Sequence, residues 1–463
     1  MPTDTYDLVL LGVGSGAKVI AQPLARSGMS VAAVEHRKLG GECPYYACMP
    51  SKFMLRDAAR GRTWPEAVLR RDDHTQHADD SGVEEDFVGD GITVLRGHGV
   101  VTGPDTLTVD GQEIGFQRLL IDTGTCVVHP PIDGLPDVPI WDSEEALTAT
   151  ERPQSLLVLG GGPIGIELAQ VFARFGTTVT VVEAADRLVP TDAPVVGELL
   201  AQVLAADHVY VRTGVTADRA EKCDVGARIH LSDGSSVEVE RVLVAVGRKP
   251  NVTGIGLEHL GIDVEGAPDG LSIDGSCRVL GADGTPLVNV FAAGDVTGIA
   301  PYTHIANYHG RIVVDTLLGR ARTADYTAVP RGIYTSPSGF GVWMTPEQAR
   351  AAGIDLLVAR GDLVNVSRSS AEGSSPLGPD GVAGGCVELY ADRARGVLIG
   401  AAGVATEVDA WLGEVGLAIR AQVPVSTYVE VVHAFPTWSE GLDQPLRELA
   451  RAIEGITDPE IQL

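Results

Sequence analysis

A chain of 463 residues is longer than a single hydrophobic core usually supports, so two to four domains are expected. Hydrophobic residues at 44%, 56 glycines and only 5% aromatics are the balance of a large α/β protein. The net charge of −27, from 35 basic and 62 acidic residues, argues against nucleic acid or an anionic membrane as partner.

The N-terminus, Met1-Pro2-Thr3-Asp4-Thr5-Tyr6-Asp7, carries no basic leader or cleavable apolar segment. No apolar run reaches the roughly 18 residues of a membrane span, and a cytoplasmic protein is expected. Residues 6–11 read as a buried parallel strand, followed by Gly12-Val13-Gly14-Ser15-Gly16-Ala17, an apolar helical stretch to Arg26, and a second strand over 30–34 ending at Glu35. Strand, Gly-x-Gly-x-x-Gly/Ala, helix, strand and acid form a dinucleotide fingerprint in its required context. The glycines let the backbone approach a pyrophosphate at a helix N-terminus, and Glu35 can bind a ribose hydroxyl.

Next comes Gly40-Gly41-Glu42-Cys43-Pro44-Tyr45-Tyr46-Ala47-Cys48-Met49-Pro50-Ser51-Lys52. Four residues separate Cys43 from Cys48, a spacing that one helical turn would close. In a cytosolic chain so local a pair reads as a working redox couple rather than a staple. The other cysteines, Cys126, Cys223, Cys277 and Cys386, are scattered and read as buried or idle thiols. Residues 72–90 are strongly acidic and read as a surface loop or helix end, with His74 and His77 solvated.

The fingerprint returns as a strand over 155–159, the turn Gly160-Gly161-Gly162-Pro163-Ile164-Gly165, a helix over 166–175 and a strand over 178–182 ending at Glu183. Two fingerprints imply two nucleotide sites, most economically one flavin and one nicotinamide. Residues 290–298 read as another strand closing on a turn with an acid, Asp295. Beyond residue 327 the pattern changes to strands over 333–343 and 385–391 and helices over 345–352 and 408–421, a separate α+β domain.

These landmarks, with Ile121-Asp122-Thr123-Gly124-Thr125, Glu167, Val246-Gly247-Arg248-Lys249-Pro250-Asn251, Ala293-Gly294-Asp295 and Met344-Thr345-Pro346-Glu347-Gln348-Ala349-Arg350, run in the order of a known family. The chain resembles the flavoprotein disulfide reductases, the group of dihydrolipoamide dehydrogenase, glutathione reductase and mercuric reductase. The resemblance implies an α/β fold with two Rossmann-like domains and an α+β dimerisation domain. Its FAD domain would be split as 1–150 and 272–327, the NAD(P) domain would cover 151–271, and residues 328–463 would form a homodimer interface. It implies cofactor contacts from Gly12, Gly14, Ala17, Glu35, Lys52, Gly124 and Asp295 for FAD, and from Gly160, Gly162, Gly165, Glu183 and Gly247 around the nicotinamide nucleotide. Lys52 and Glu167 would pair beside the flavin. Cys48 would be the thiolate against the flavin and Cys43 the interchange thiol facing substrate, with hydride passing from nicotinamide to flavin and electrons on to the disulfide. Glu183 at the end of its strand favours the 2′-hydroxyl of NADH over the 2′-phosphate of NADPH; Arg187 is the one nearby guanidinium, read as a surface residue.

The chain departs from the family at three places. Members that exchange thiols use a C-terminal histidine, supplied by the other subunit and oriented by a glutamate five residues later. In His433-Ala434-Phe435-Pro436-Thr437-Trp438-Ser439-Glu440 that position holds Phe435, while Glu440 remains. Phenylalanine moves no proton, and general acid–base help is worth about 10²–10⁴-fold. His433 reads as a structural histidine. Glu42 stands where the family usually has threonine, and its carboxylate must turn away or find a cation. Tyr45 and Tyr46 are bulky and would narrow the substrate approach. The vicinal C-terminal cysteines of mercuric reductase are absent. The expected activity is therefore NADH-dependent reduction, through FAD and Cys43–Cys48, of a small acceptor that needs little proton transfer: an activated disulfide, a quinone or a metal ion. A dihydrolipoamide dehydrogenase with a relocated acid/base (His433, His74 or His77) and a flavin-bound redox sensor are the alternatives.

Overall fold

In the computed structural model, residues 4–320, 322–372 and 385–456 are described, with the side chains of residues 409 and 410 left aside. The terminal residues 1–3 and 457–463 used in the sequence reading lie outside these. The chain forms two compact units: Met1–Phe53, Val68–Val128 and Gly247–Asp325 make the first; Met54–Ala67, His129–Val246 and Tyr326–Leu463 the second.

The first unit is built on a six-stranded sheet in the order Arg278–Leu280, Pro286–Ala292, Leu119–Ile121, Leu8–Leu11, Val31–Glu35, Thr93–Arg96, parallel except at the first pair. Alternation along the strands feeds two cores. Val9, Leu11, Ala32 and Val34 face one; Leu8, Leu10, Val31 and Ala33 face the other, where the helices Ser15–Arg26 and Thr303–Leu317 cover them. These helices approach closely at Gly310, where a Cβ would stand 2.9 Å from Gly16 O.

The single strand expected over 6–11 is two. Thr5–Tyr6 pairs with Gly115–Phe116 in a separate sheet, and Leu8–Leu11 enters the main one. Asp7 makes the break, its Oδ2 accepting from Ser30 N at 2.8 Å. The acidic stretch 72–90 is more ordered than expected. The helix Trp64–His74 is followed by Ser81–Gly89, whose Phe87 is fully buried. Between them Gln76, His77 and Ala78 take left-handed φ values of 51°, 52° and 57°.

The second unit holds a parallel sheet in the order Ile140–Trp141, Arg241–Val244, Ser155–Leu159, Thr178–Glu183, Tyr210–Thr213. It also holds a five-stranded antiparallel sheet, Pro330–Ile333, Ser338–Trp343, Val397–Ala405, Gly385–Asp392, Leu356–Asp362. The helices Asp409–Arg420 and Asp443–Glu454 close the core of the latter around Trp411, whose ring meets Phe340 edge-on at 4.9 Å. Residues 333–343, read as one strand, form two strands of a hairpin. Pro337 has no N–H to donate to a ladder, and the turn's polar groups are met by side chains: Ser336 N donates to Gln170 Oε1 (2.8 Å) and Arg174 Nη2 donates to Ser336 O (2.7 Å). Among the described residues no helix is long and apolar enough to cross a membrane.

Candidate redox and dinucleotide sites

In the first unit, Gly12 (φ 82°) turns the chain out of Leu8–Leu11; a Cβ there would meet Asp122 O at 2.6 Å, so only glycine fits. The helix begins at Ser15 with Gly14 as a side-chain-less cap. At the end of Val31–Glu35, the buried Glu35 accepts from Val13 N (2.8 Å) and Arg37 N (2.6 Å) and so fastens the turn to the neighbouring strand. Gly124 (φ 66°) opens onto free space. Asp295 is half-buried, its carboxyl raised by desolvation against the pull of Arg248 and of the Thr125 hydroxyl 3.5 Å away. A glycine-capped helix terminus, close-approach glycines and a strand-end acid fit the pyrophosphate and ribose of a dinucleotide.

The two cysteines do not share one helical turn. Cys43 lies in the short helix Glu42–Tyr45 and Cys48 opens the helix Cys48–Ala59, with the chain breaking at Tyr46 (φ −129°). The two side chains are within hydrogen-bonding distance of one another. Thr303, which the sequence reading missed, lies between them: its Oγ1 is 3.3 Å from Cys43 Sγ and 3.4 Å from Cys48 Sγ. No local signal marks it, since 255 residues separate it from Cys48 and only the sheet order brings its helix there. The Cys43 thiol is pushed far up by its hydrogen bond to Cys48, by burial and by the charge of Cys48, while Thr303 and Lys52 pull it down. Ser51 Oγ donates to Cys48 O at 3.1 Å and accepts from Lys52 Nζ at 3.2 Å.

Glu42 has found its cations. Arg248 Nη2 donates to Oε2 at 2.7 Å and Arg37 Nη1 to Oε1 at 3.4 Å; Arg248 Nε also donates to Thr125 Oγ1 at 2.8 Å. Tyr45 turns inward, buried with its hydroxyl donating to Leu39 O at 3.1 Å, so it does not narrow an approach; Tyr46 lies under the Arg37 guanidinium at 5.6 Å. Gly247 (φ 139°) leaves open space around its Cα. His74 stacks on Phe53 at 3.9 Å, and His77 is exposed near Asp73.

In the second unit, Gly160 (φ 109°) makes the equivalent turn, a Cβ there meeting Ala245 O at 2.3 Å; one on Gly165 would meet Gly160 O at 2.1 Å, while Gly162 is open. Glu183 accepts from Gly161 N (2.6 Å) and Ala185 N (2.7 Å). Arg187 is tied to backbone, its Nη2 donating to Pro190 O (2.9 Å) and Asp192 O (3.1 Å). Glu167 is buried, with Oε1 accepting from Tyr334 N at 2.9 Å.

Phe435 is 74% exposed in the single subunit. Glu440 accepts from Thr437 N at 2.8 Å, capping the turn that follows. His433 is held at both nitrogens, Nδ1 by Asp443 (2.6 Å) and Nε2 by Glu414 (3.0 Å). Burial works against its charge, but the hydrogen bonds to Glu414 and Asp443 win and its pKa is raised. Such a histidine is a structural clamp. Cys277 and Cys386 are buried thiols pushed up to about 12 by that burial, as expected of idle cysteines. Among the described residues no cluster of three or more His, Cys, Asp or Glu could hold a metal ion.

Two glycine turns and a cysteine pair on adjoining helices define a two-nucleotide redox protein. Residues 6–311 match the family model described as pyridine nucleotide-disulphide oxidoreductase, and residues 329–445 match the dimerisation domain of the same family. A dihydrolipoyl dehydrogenase of Thermus scotoductus is 32% identical over 460 residues, covering 95% of this chain and 96% of that one. The probable pyridine nucleotide-disulfide oxidoreductase RclA of Escherichia coli is 28% identical over 447 residues, covering 95% and 98%. A solved Cu(II) complex of RclA, described as an HOCl-induced flavoprotein disulfide reductase, superposes with a TM-score of 0.84 at 27% identity, covering 96% of this chain and all of that one. The chain belongs to the pyridine nucleotide-disulfide oxidoreductases, a family of enzymes that use FAD and NAD(P)H.

Proposed function

We propose that the protein is a homodimeric, NADH-dependent FAD oxidoreductase that delivers electrons through Cys43 and Cys48 to a small acceptor needing little proton transfer. In this reading FAD is held by residues 1–150 and 272–327 and NADH by 151–271, while 328–463 form the dimer interface. The observation that carries it is the pair of sulfurs bridged by the Thr303 hydroxyl at the start of the Cys48–Ala59 helix.

FAD, when bound, would take a hydride from NADH and supply two electrons to the cysteine couple. The chain's residues do the rest. Reduction breaks the Cys43–Cys48 bond and leaves two sulfurs that both contact the Thr303 hydroxyl, which donates to Cys43. Cys48 is favoured as the thiolate by the N-terminus of its helix, worth about 0.3–1 kcal/mol at such a terminus. Cys43 attacks an acceptor disulfide, expelling one thiol; Cys48 then attacks Cys43, expelling the second and restoring the internal disulfide. Lys52 offers positive charge near the couple, and Glu167 holds its helix to the Tyr334 amide. Glu183 presents its carboxylate to a ribose 2′-hydroxyl, and Arg187, engaged by backbone carbonyls, offers nothing to a 2′-phosphate.

Phe435 supplies no base and His433 is clamped, so the acceptor is an activated disulfide, a quinone or a metal ion. Because RclA has been solved with Cu(II), Cu(II) is the metal ion to try first. The test is an NADH-coupled panel of lipoamide, small disulfides, quinones and Cu(II), run on wild type and Cys43→Ser. Loss of turnover in Cys43→Ser supports the reading. Quinone turnover that survives in Cys43→Ser sets the couple aside, fast dihydrolipoamide oxidation favours a dihydrolipoamide dehydrogenase, and no turnover with any acceptor favours a redox sensor. A preference for NADPH would overturn the nicotinamide assignment.

A further inference from the structure

The residue after the third strand of each glycine turn differs between the two turns. In the first it is Asp122, whose N–H donates to Leu11 O (2.9 Å); in the second it is Ala245, whose N–H donates to Leu159 O (2.8 Å). The backbones are equivalent, and each carbonyl bars a Cβ from the first glycine. The Asp122 side chain, however, enters the start of the Ser15–Arg26 helix. Its Oδ2 accepts from Ala17 N at 2.7 Å, the Gly14 amide also hydrogen-bonds to it, and the residue is 6% exposed. A Cβ at Gly14, Gly16 or Gly294 would stand 3.0, 3.3 or 2.9 Å from its oxygens. Those glycines therefore make room for one of the protein's own carboxyl groups.

We propose that Asp122 governs retention of the flavin: its carboxyl holds the helix-terminal amides that the FAD pyrophosphate also needs, so the charge on Asp122 sets how tightly FAD stays bound. The inference rests on the assignment of FAD to this turn. The groups facing Asp122 favour its neutral form. Burial raises its carboxyl well above the usual carboxylate range against the pull of Ala17 N, and Asp295 and Glu35 repel its negative charge. His309, whose Nδ1 accepts from Gly294 N at 3.2 Å, is pushed down to about 4 by burial and brings no positive charge at neutral pH. An ionised Asp122 repels the pyrophosphate, whereas a protonated one does not. FAD retention then weakens as pH rises through the range where Asp122 ionises, by at most about tenfold per pH unit for one linked proton.

The test dilutes holoenzyme at intervals from about pH 6 to about pH 9 and reads released FAD by fluorescence, for wild type and Asp122→Asn. Asparagine keeps the size and the acceptor for Ala17 N and removes the charge. Wild-type affinity is expected to fall about tenfold or more across the range, while Asp122→Asn gives a flat profile and binds more tightly at the alkaline end. A flat wild-type profile, or an equally steep one in Asp122→Asn, overturns the proposal. Should the variant fail to fold, FAD rebinding to stripped wild-type protein, followed by calorimetry in buffers of different protonation heat, should show proton uptake in the pH range where retention weakens. No uptake there overturns it equally. A protein that binds no FAD at all overturns the flavin assignment instead, so the two failures are distinct.

Discussion

In the first glycine turn Glu35 gathers the amides of Val13 and Arg37; in the second Glu183 gathers those of Gly161 and Ala185. Both turns start on a positive-φ glycine facing the carbonyl that follows a third strand. They part at the side chain carried there, a buried carboxyl at Asp122 and a methyl at Ala245. The same division runs through the two units. The first gathers buried or half-buried ionisable groups around its candidate site, namely Asp122, Asp295, Cys43 and Glu35. The second spends a comparable group, His433 between Glu414 and Asp443, on holding its C-terminal segment. One backbone plan thus occurs twice, and the side chain placed behind the turn is what differs between the two.

Gly160→Ala tests the shared part of the plan. A Cβ 2.3 Å from Ala245 O at φ 109° must displace backbone, and NADH-driven reduction is expected to fall about 100-fold or more while bound flavin remains. Unchanged stopped-flow reduction would break the equivalence of the turns. His433→Gln probes the structural use of charge. With its pKa raised on folding, His433 adds stability that is fully present below its unfolded pKa of about 6.5 and is lost as pH rises through the folded value. The substitution should cost about 2 kcal/mol at acidic pH, and clearly less at alkaline pH, in urea unfolding. Equal losses at both ends would mean that packing, rather than charge, is what His433 supplies.

Ala245→Asp transplants the acid of the first turn into the second. NADH affinity should weaken about tenfold in titrations above neutral pH, with little change in flavin content. Tighter NADH binding would contradict the electrostatic reading. The smallest effect is expected at Phe435→His. If a missing base limits exchange, dithiol turnover should rise several-fold, well short of the about 10²–10⁴-fold that a well-placed acid/base gives. An unchanged rate would mean that proton transfer at Cys43 is handled elsewhere.

The local sequence foretold both turns closely because glycine spacing, apolar strands and a terminal acid are short-range patterns with few alternative folds. The helix expected over 166–175 is observed as Pro163–Arg174, and the strand over 155–159 as Ser155–Leu159. Patterning misled where a strand changes partners. Tyr6 and Leu8 belong to different sheets, and the chain reverses at the Thr335-Ser336-Pro337 stretch between Pro330–Ile333 and Ser338–Trp343. The acidic stretch 72–90 looked like surface because its charge outweighs the few residues that anchor it, among them the buried Phe87 and the buried Asp80, which accepts from Leu39 N and Arg96.

The sequence by itself determined that there are two dinucleotide turns, that their strand ends carry Glu35 and Glu183, that a cysteine pair follows the first turn, and that Phe435 stands where the family has a base. Each of these is written within a few residues or in one motif. Tertiary structure alone decided that Thr303 reaches both sulfurs, that Arg248 neutralises Glu42, that His433 is locked at both nitrogens, and that Asp122 lies beneath the first glycine turn. These contacts join residues brought together by strand order and helix crossing. Their chemistry depends on burial and distance, which no spacing along the chain encodes.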